Sequence, residues 1–159
     1  MLLHEDVTER IIGSGLRVHS AVGAGCLEST YCACLMHQMS LDGLQFQHQL
    51  RLPIVYETVR LNAAYRIDFL VENCVIVELK AVEKLLPLHL AQMMTYLTLS
   101  NVPIGLLMNF NVAHLRHGIR RVFNNRYESG RGSILGSESS VSSAVESSGS
   151  DGTQRRTDC

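Results

Sequence analysis

Long apolar runs are missing from this sequence: none approaches the roughly 20 residues that a membrane-spanning helix needs. The first ten residues, MLLHEDVTER, carry acids where a secretory signal has a basic start and an apolar stretch. A cytoplasmic protein is therefore expected. Paired cysteines are missing too. Cys26, Cys32, Cys34, Cys74 and Cys159 contain no CxxC spacing, so they read as reduced structural thiols. His19, His37, His48 and His89 show no metal-ligand spacing and read as structural or surface groups. No internal repeat is present. An excess of one charge is also lacking: the net charge is −1, from 14 Lys and Arg against 15 Asp and Glu. Residues 1–126 hold 11 basic against 10 acidic side chains and all seven histidines, and residues 127–159 hold 3 against 5. Neither part has the basic surplus that usually marks a nucleic-acid-binding domain.

What is present fits one domain with a real core. The chain has 159 residues, of which 46% are hydrophobic and 18% charged. From about Arg126 the composition changes to Ser and Gly with almost no apolar periodicity. Such a stretch cannot bury enough surface to offset its ordering entropy. Residues 127–159 are therefore expected to form a flexible, disordered tail behind a folded domain of residues 1–126.

Within that domain, Asp6 or Thr8 is placed to cap a first helix reaching about Val22, with Ile11, Ile12, Gly15, Leu16, Val18, His19 and Val22 on one stripe. Gly23-Ala24-Gly25 breaks it, and a second helix follows from about Leu27 to Leu41. Leu44 to Tyr56 reads as a strand, at an edge or bent because it contains Pro53. Val59 to Val71 and Cys74 to Val82 read as a hairpin, and Pro87 opens a helix to about Ser100. Pro103 to Phe110 is short, apolar and suited to a buried strand. His114 to Asn124 is either a short helix or a strand. The order is α-α-β-β-β-α-β.

The hairpin YRIDFLVENCVIVELKA, residues 65–81, carries the chemistry. A three-residue loop at Glu72, Asn73 and Cys74 sets Asp68 opposite Glu78 and Arg66 opposite Lys80. Alternation then puts Ile67, Phe69, Val71, Val75, Val77 and Leu79 on one face, and Arg66, Asp68, Leu70, Ile76, Glu78 and Lys80 on the other. Two acids on neighbouring strands, with Cβ atoms about 5 Å apart, can share one Mg²⁺, a hard ion that prefers carboxylate oxygens. Lys80 points the same way, where it can steer or deprotonate a water or neutralise charge developing on a phosphate. The bland alternative is a solvated strand face with Arg66–Glu78 or Asp68–Lys80 pairs.

The D-x9-E-x-K pattern and the element order resemble the PD-(D/E)xK nuclease superfamily, whose restriction-endonuclease-like fold has an αβββαβ core. Here that core would carry an extra N-terminal helix. Gly25, Glu28 and Tyr31 in GCLESTY are similar to the signature of the GxxExxY family, a branch of those nuclease-like folds. YRIDFLVEN, VIVELKAVE, AQMMTYL and LLMNF extend the resemblance from about Val7 to Asn124. It implies Asp68 and Glu78 as metal-binding acids, Glu28 as a further acid and metal ligand, and Lys80 as the catalytic lysine. Gln92 and Tyr96, at i and i+4 on one helix face, would position the scissile phosphate. Gly25 would permit the tight entry into the second helix, and Tyr31 would either hydrogen-bond an acid or simply pack. The implied cofactor is Mg²⁺ or Mn²⁺ and the implied partner DNA or RNA. The near-neutral charge keeps open a binding module with little or no turnover, a homo-oligomer, or a subunit whose protein partner supplies the basic surface. The cluster His114, Arg116, His117, Arg120 and Arg121 is either a solvated end of the domain or a contact to a phosphate backbone.

Overall fold

Helical spacing of Val7, Ile11, Gly15 and Val18 buries one stripe of α1 (Glu5–Val22), and Tyr31, Leu35 and Met39 do the same for α2 (Glu28–Leu41). The computed structural model describes residues 4–133 and Leu135. The strands are β1 (Phe46–Tyr56), β2 (Val59–Val71), β3 (Val75–Lys80), β4 (Ile104–Asn109) and β5 (Ile119–Phe123). They form one sheet in the order β1-β2-β3-β4-β5. β3 and β4 are parallel, joined through α3 (Pro87–Ser100), and the other neighbours are antiparallel. This is the expected αβββαβ core behind an extra N-terminal helix, a mixed α/β, restriction-endonuclease-like fold. The stretch 114–124, either a short helix or a strand by sequence, divides into a single 3₁₀ turn, Leu115–Gly118, and β5. No described helix is long and apolar enough to cross a membrane.

The sheet separates two apolar layers. Phe69, Val71, Val75, Val77 and Leu79 pack with Ile11, Tyr31 and Leu35 from α1 and α2. Leu52, Ile67, Leu70 and Ile76 pack with Met93, Tyr96 and Leu97 from α3. Ile67 thus lies in the α3 layer and not beside Phe69, as strict alternation predicts. Its partner is Leu50 on β1, and β2 changes its facing where it leaves β3. The α1 cap also differs: α1 begins at Glu5, and the Thr8 hydroxyl donates to the Glu5 carbonyl from inside the helix. α2 starts at Glu28, one residue later than expected, and Leu27 before it is 75% exposed.

Asp42 clamps the two N-terminal helices, accepting hydrogen bonds from Ser14, Arg17 and Gln38. The four described cysteines are free thiols. Beyond Arg126 the chain is at first anchored. Asn101 donates to the carbonyls of Glu128 and Arg131, and Leu135 is buried in the α3 layer. The rest of the expected tail lies outside the described residues.

At Gly118, closing the 3₁₀ turn, an added methyl would overlap the Asn109 carbonyl oxygen and press on Val112. Backbone cannot yield there as a flexible side chain would. Gly118→Ala is expected to lower stability by roughly 1–3 kcal/mol, read as a drop in denaturation midpoint.

Candidate active site

β2 and β3 form a fork. They pair only through Phe69 with Val77, Leu70 with Ile76 and Val71 with Val75. Glu72 and Asn73 make the turn in the left-handed region, at φ 49° and 54°, as the three-residue loop requires. Past Phe69, β2 stays with β1 while β3 stays with β4, where Glu78 faces Leu107 and Lys80 faces Asn109. The separating strands leave backbone donors without ladder partners, and the two acids supply them. The Asp68 N–H donates to Glu78 Oε1 at 3.0 Å, and the Leu79 N–H donates to Asp68 Oδ2 at 2.9 Å. Asp68 and Glu78 therefore meet in space as the register predicts, but inside the fork and not across a continuous ladder. Arg66 does not face Lys80: it pairs with Arg51 on β1 and is exposed.

Burial governs the electrostatics. Glu78 is 5% exposed, and burial, with the Asp68 charge second, pushes its carboxyl up to about 8. The Asp68 N–H and Lys80 oppose that rise, the Lys80 Nζ standing 3.6 Å from Glu78 Oε2. Tyr96, on α3, is held above the ordinary tyrosine value by burial and then by the charges of Glu78 and Asp68. Its ring packs edge-on to Tyr65 at 5.3 Å. Gln92 is half-buried one turn earlier on the same helix.

Glu28, the first residue of α2, is exposed. Among the described residues no three His, Cys, Asp or Glu side chains gather as a ready metal cage, so Glu28 does not join Asp68 and Glu78 in one. One turn along α2, burial followed by the charges of Asp68 and Glu28 raises the Cys32 thiol, whose sulfur lies 3.1 Å from His48 Nε2. The paired oxygens of Asp68 and Glu78 suit a hard divalent cation. A cation there would offset the burial and repulsion that disfavour the Glu78 charge.

Tyr31 does not reach an acid. Its hydroxyl donates to the Gly23 carbonyl at 2.7 Å and accepts from the Cys26 N–H at 3.0 Å, and its ring stacks on Phe110 at 4.6 Å. It braces the loop delivering Glu28, in which Gly25 adopts φ +92°, a value an L side chain resists. Tyr31→Phe keeps the stack and removes both hydrogen bonds, so a loss of roughly 1–3 kcal/mol in chemical denaturation is expected.

Asn109 was not anticipated. Its side chain donates to the Val82 carbonyl at 2.8 Å and accepts from the Val82 and Asn111 N–H groups, fixing the chain as it leaves Lys80. The available signal was a polar residue inside the otherwise apolar LLMNF. The Cys32–His48 pair left no signal, since its members come from α2 and β1.

Comparison with known families gives a match to the PD-(D/E)XK nuclease superfamily over residues 5–122. No curated protein and no solved structure matches the chain. The match spans both helices, the whole fork and the crossover helix, so the chain belongs to the PD-(D/E)XK nuclease superfamily.

Proposed function

We propose that the protein is a Mg²⁺- or Mn²⁺-dependent phosphodiesterase acting on DNA or RNA, with water as the nucleophile, in the GxxExxY branch of the superfamily. The observation that carries this reading is the Asp68–Glu78 carboxylate pair in the fork with Lys80 on its edge. Asp68 and Glu78 would hold the cation, with Glu28 as a further ligand from the start of α2. When bound, such a cation supplies Lewis acidity at the phosphoryl oxygen and a more acidic water.

The chain's own groups supply the rest. Lys80 brings positive charge to a site that is otherwise acidic, where negative charge grows on the phosphate during attack. Its ammonium is compact and needs no bidentate geometry. Gln92, half-buried on α3, offers an amide that both donates and accepts. Burial, and after it the charges of Glu78 and Asp68, holds the Tyr96 hydroxyl above the ordinary tyrosine value, so it acts as a neutral hydrogen-bonding group and not as a base. Tyr31 and Gly25 act indirectly, by shaping the loop before Glu28.

The test is incubation with labelled single- and double-stranded DNA and RNA in Mg²⁺ or Mn²⁺, beside Lys80→Ala. Cleavage by the wild type alone supports the reading. Equal cleavage by both proteins, or none by either, removes it.

A further inference from the structure

At the Lys80 end of the sheet lies a groove of about 500 Å³ that the proposed chemistry does not use. One wall is the end of α1, with His19, Ser20 and Gly23; the other is the loop carrying His114, Leu115 and Arg116. Phe110 links it to the fork. Its N–H donates to the Lys80 carbonyl at 2.8 Å, and Tyr31 stacks on its ring while bonding Gly23. On the other side His19 Nε2 bonds the Val112 carbonyl at 2.8 Å, fixing the two walls together.

One wall of the groove comes from a basic stretch of a near-neutral protein, and Arg116 is the arginine that stretch contributes to the lining. Residues 111–126 contain four arginines, two histidines and no acid. No carboxylate belongs to the groove lining. Arg120 directs its guanidinium to the carbonyls of His117 and Ile119. Arg116 is exposed and enters no ion pair among the described residues. Uncompensated Arg beside hydroxyl and imidazole hydrogen-bonding groups is the chemistry that takes a phosphodiester.

Distance fits that partner. Asn109 is level with Lys80, and the near wall begins four residues later, within ~14 Å at ~3.5 Å per residue. At ~3.4 Å of rise per nucleotide in one strand, that is about four nucleotides. We propose that this groove holds the sugar–phosphate backbone of a nucleic-acid strand a few nucleotides from the bond placed at Asp68, Glu78 and Lys80. The proposal rests on the nuclease reading for its substrate, but its test does not require turnover.

Binding of fluorescein-labelled single strands of about twelve nucleotides, oligo-dT and oligo-U, is measured by anisotropy in EDTA over about 50–300 mM salt. Arg116→Gln is expected to weaken binding of both strands roughly 3–10-fold and to lower the log–log salt slope by about one. Arg131→Gln, whose parent residue is exposed and paired with Glu128 outside the groove, should match the wild type. Loss with one strand only restricts the groove to that sugar and supports it. Absence of wild-type binding, wild-type behaviour of Arg116→Gln, or equal weakening by Arg131→Gln overturns it. Because no metal is present, inactive but strand-binding protein separates failure of the nuclease reading from failure of the groove.

Discussion

Lys80→Ala is expected to reduce metal-dependent cleavage of a labelled oligonucleotide by at least ~10²-fold, the usual loss when one group stabilising transition-state charge is removed. The Lys80 ammonium lies 3.6 Å from Glu78 Oε2, with 17% of its side chain exposed. It is thus close enough to the acids to share their ligand and open enough to reach a phosphate. The fork itself should survive, because the Asp68 and Leu79 N–H groups are satisfied by carboxylates and not by Lys80. The melting temperature should therefore move by only a few degrees. Lys80→Met, which retains most of the apolar stem, should be as inactive as Lys80→Ala. Near-wild-type turnover in either variant would exclude Lys80 from the chemistry.

The second large effect is a stability that depends on pH through Glu78. Its folded value of about 8 lies above the ordinary 4.5, mainly because of burial and then the Asp68 charge. Between those two values the folded protein keeps a proton that the unfolded chain has released. Stability from this group is therefore full below about 4.5 and is lost as pH rises through about 8. Glu78→Gln keeps an oxygen for the Asp68 N–H but cannot ionise. Metal-free wild type is expected to lose roughly 8–16 °C more than Glu78→Gln between the acidic and alkaline ends of that window, equivalent to ~4 kcal/mol. Mg²⁺ at alkaline pH should recover the loss in the wild type and do little for Glu78→Gln. Parallel melting curves for the two proteins across the window would refute the assignment.

Much of the architecture is legible in the sequence alone. Alternation and the position of Asn73 set the hairpin register, so Asp68 and Glu78 could be paired by arithmetic alone. The break at Gly23–Gly25 and the start at Pro87 bounded the helices because glycine and proline act on the backbone locally. Ile67 was misplaced for the opposite reason. Its facing depends on β2 turning away from β3 to follow β1, and that choice is made by neighbours distant in sequence. Tyr31 stood open between two roles, since helical spacing cannot show that its hydroxyl ends at Gly23 and Cys26. The anchoring of Leu135 was equally invisible, because a single Leu in a Ser/Gly-rich stretch carries no periodic signal.

The linear pattern was therefore enough for the element order, the acid–acid–lysine set and the helices carrying Glu28, Gln92 and Tyr96. Each rests on relations within a few residues or across one short turn. Long-range packing alone opened the fork, turned both carboxylates onto backbone donors and buried Glu78. It also set His114 and Arg116 against α1, making one groove from segments about ninety residues apart. The physical reason is common to all three. Ladder termination, desolvation and wall-to-wall contact depend on which distant surfaces meet, and no local spacing encodes that meeting.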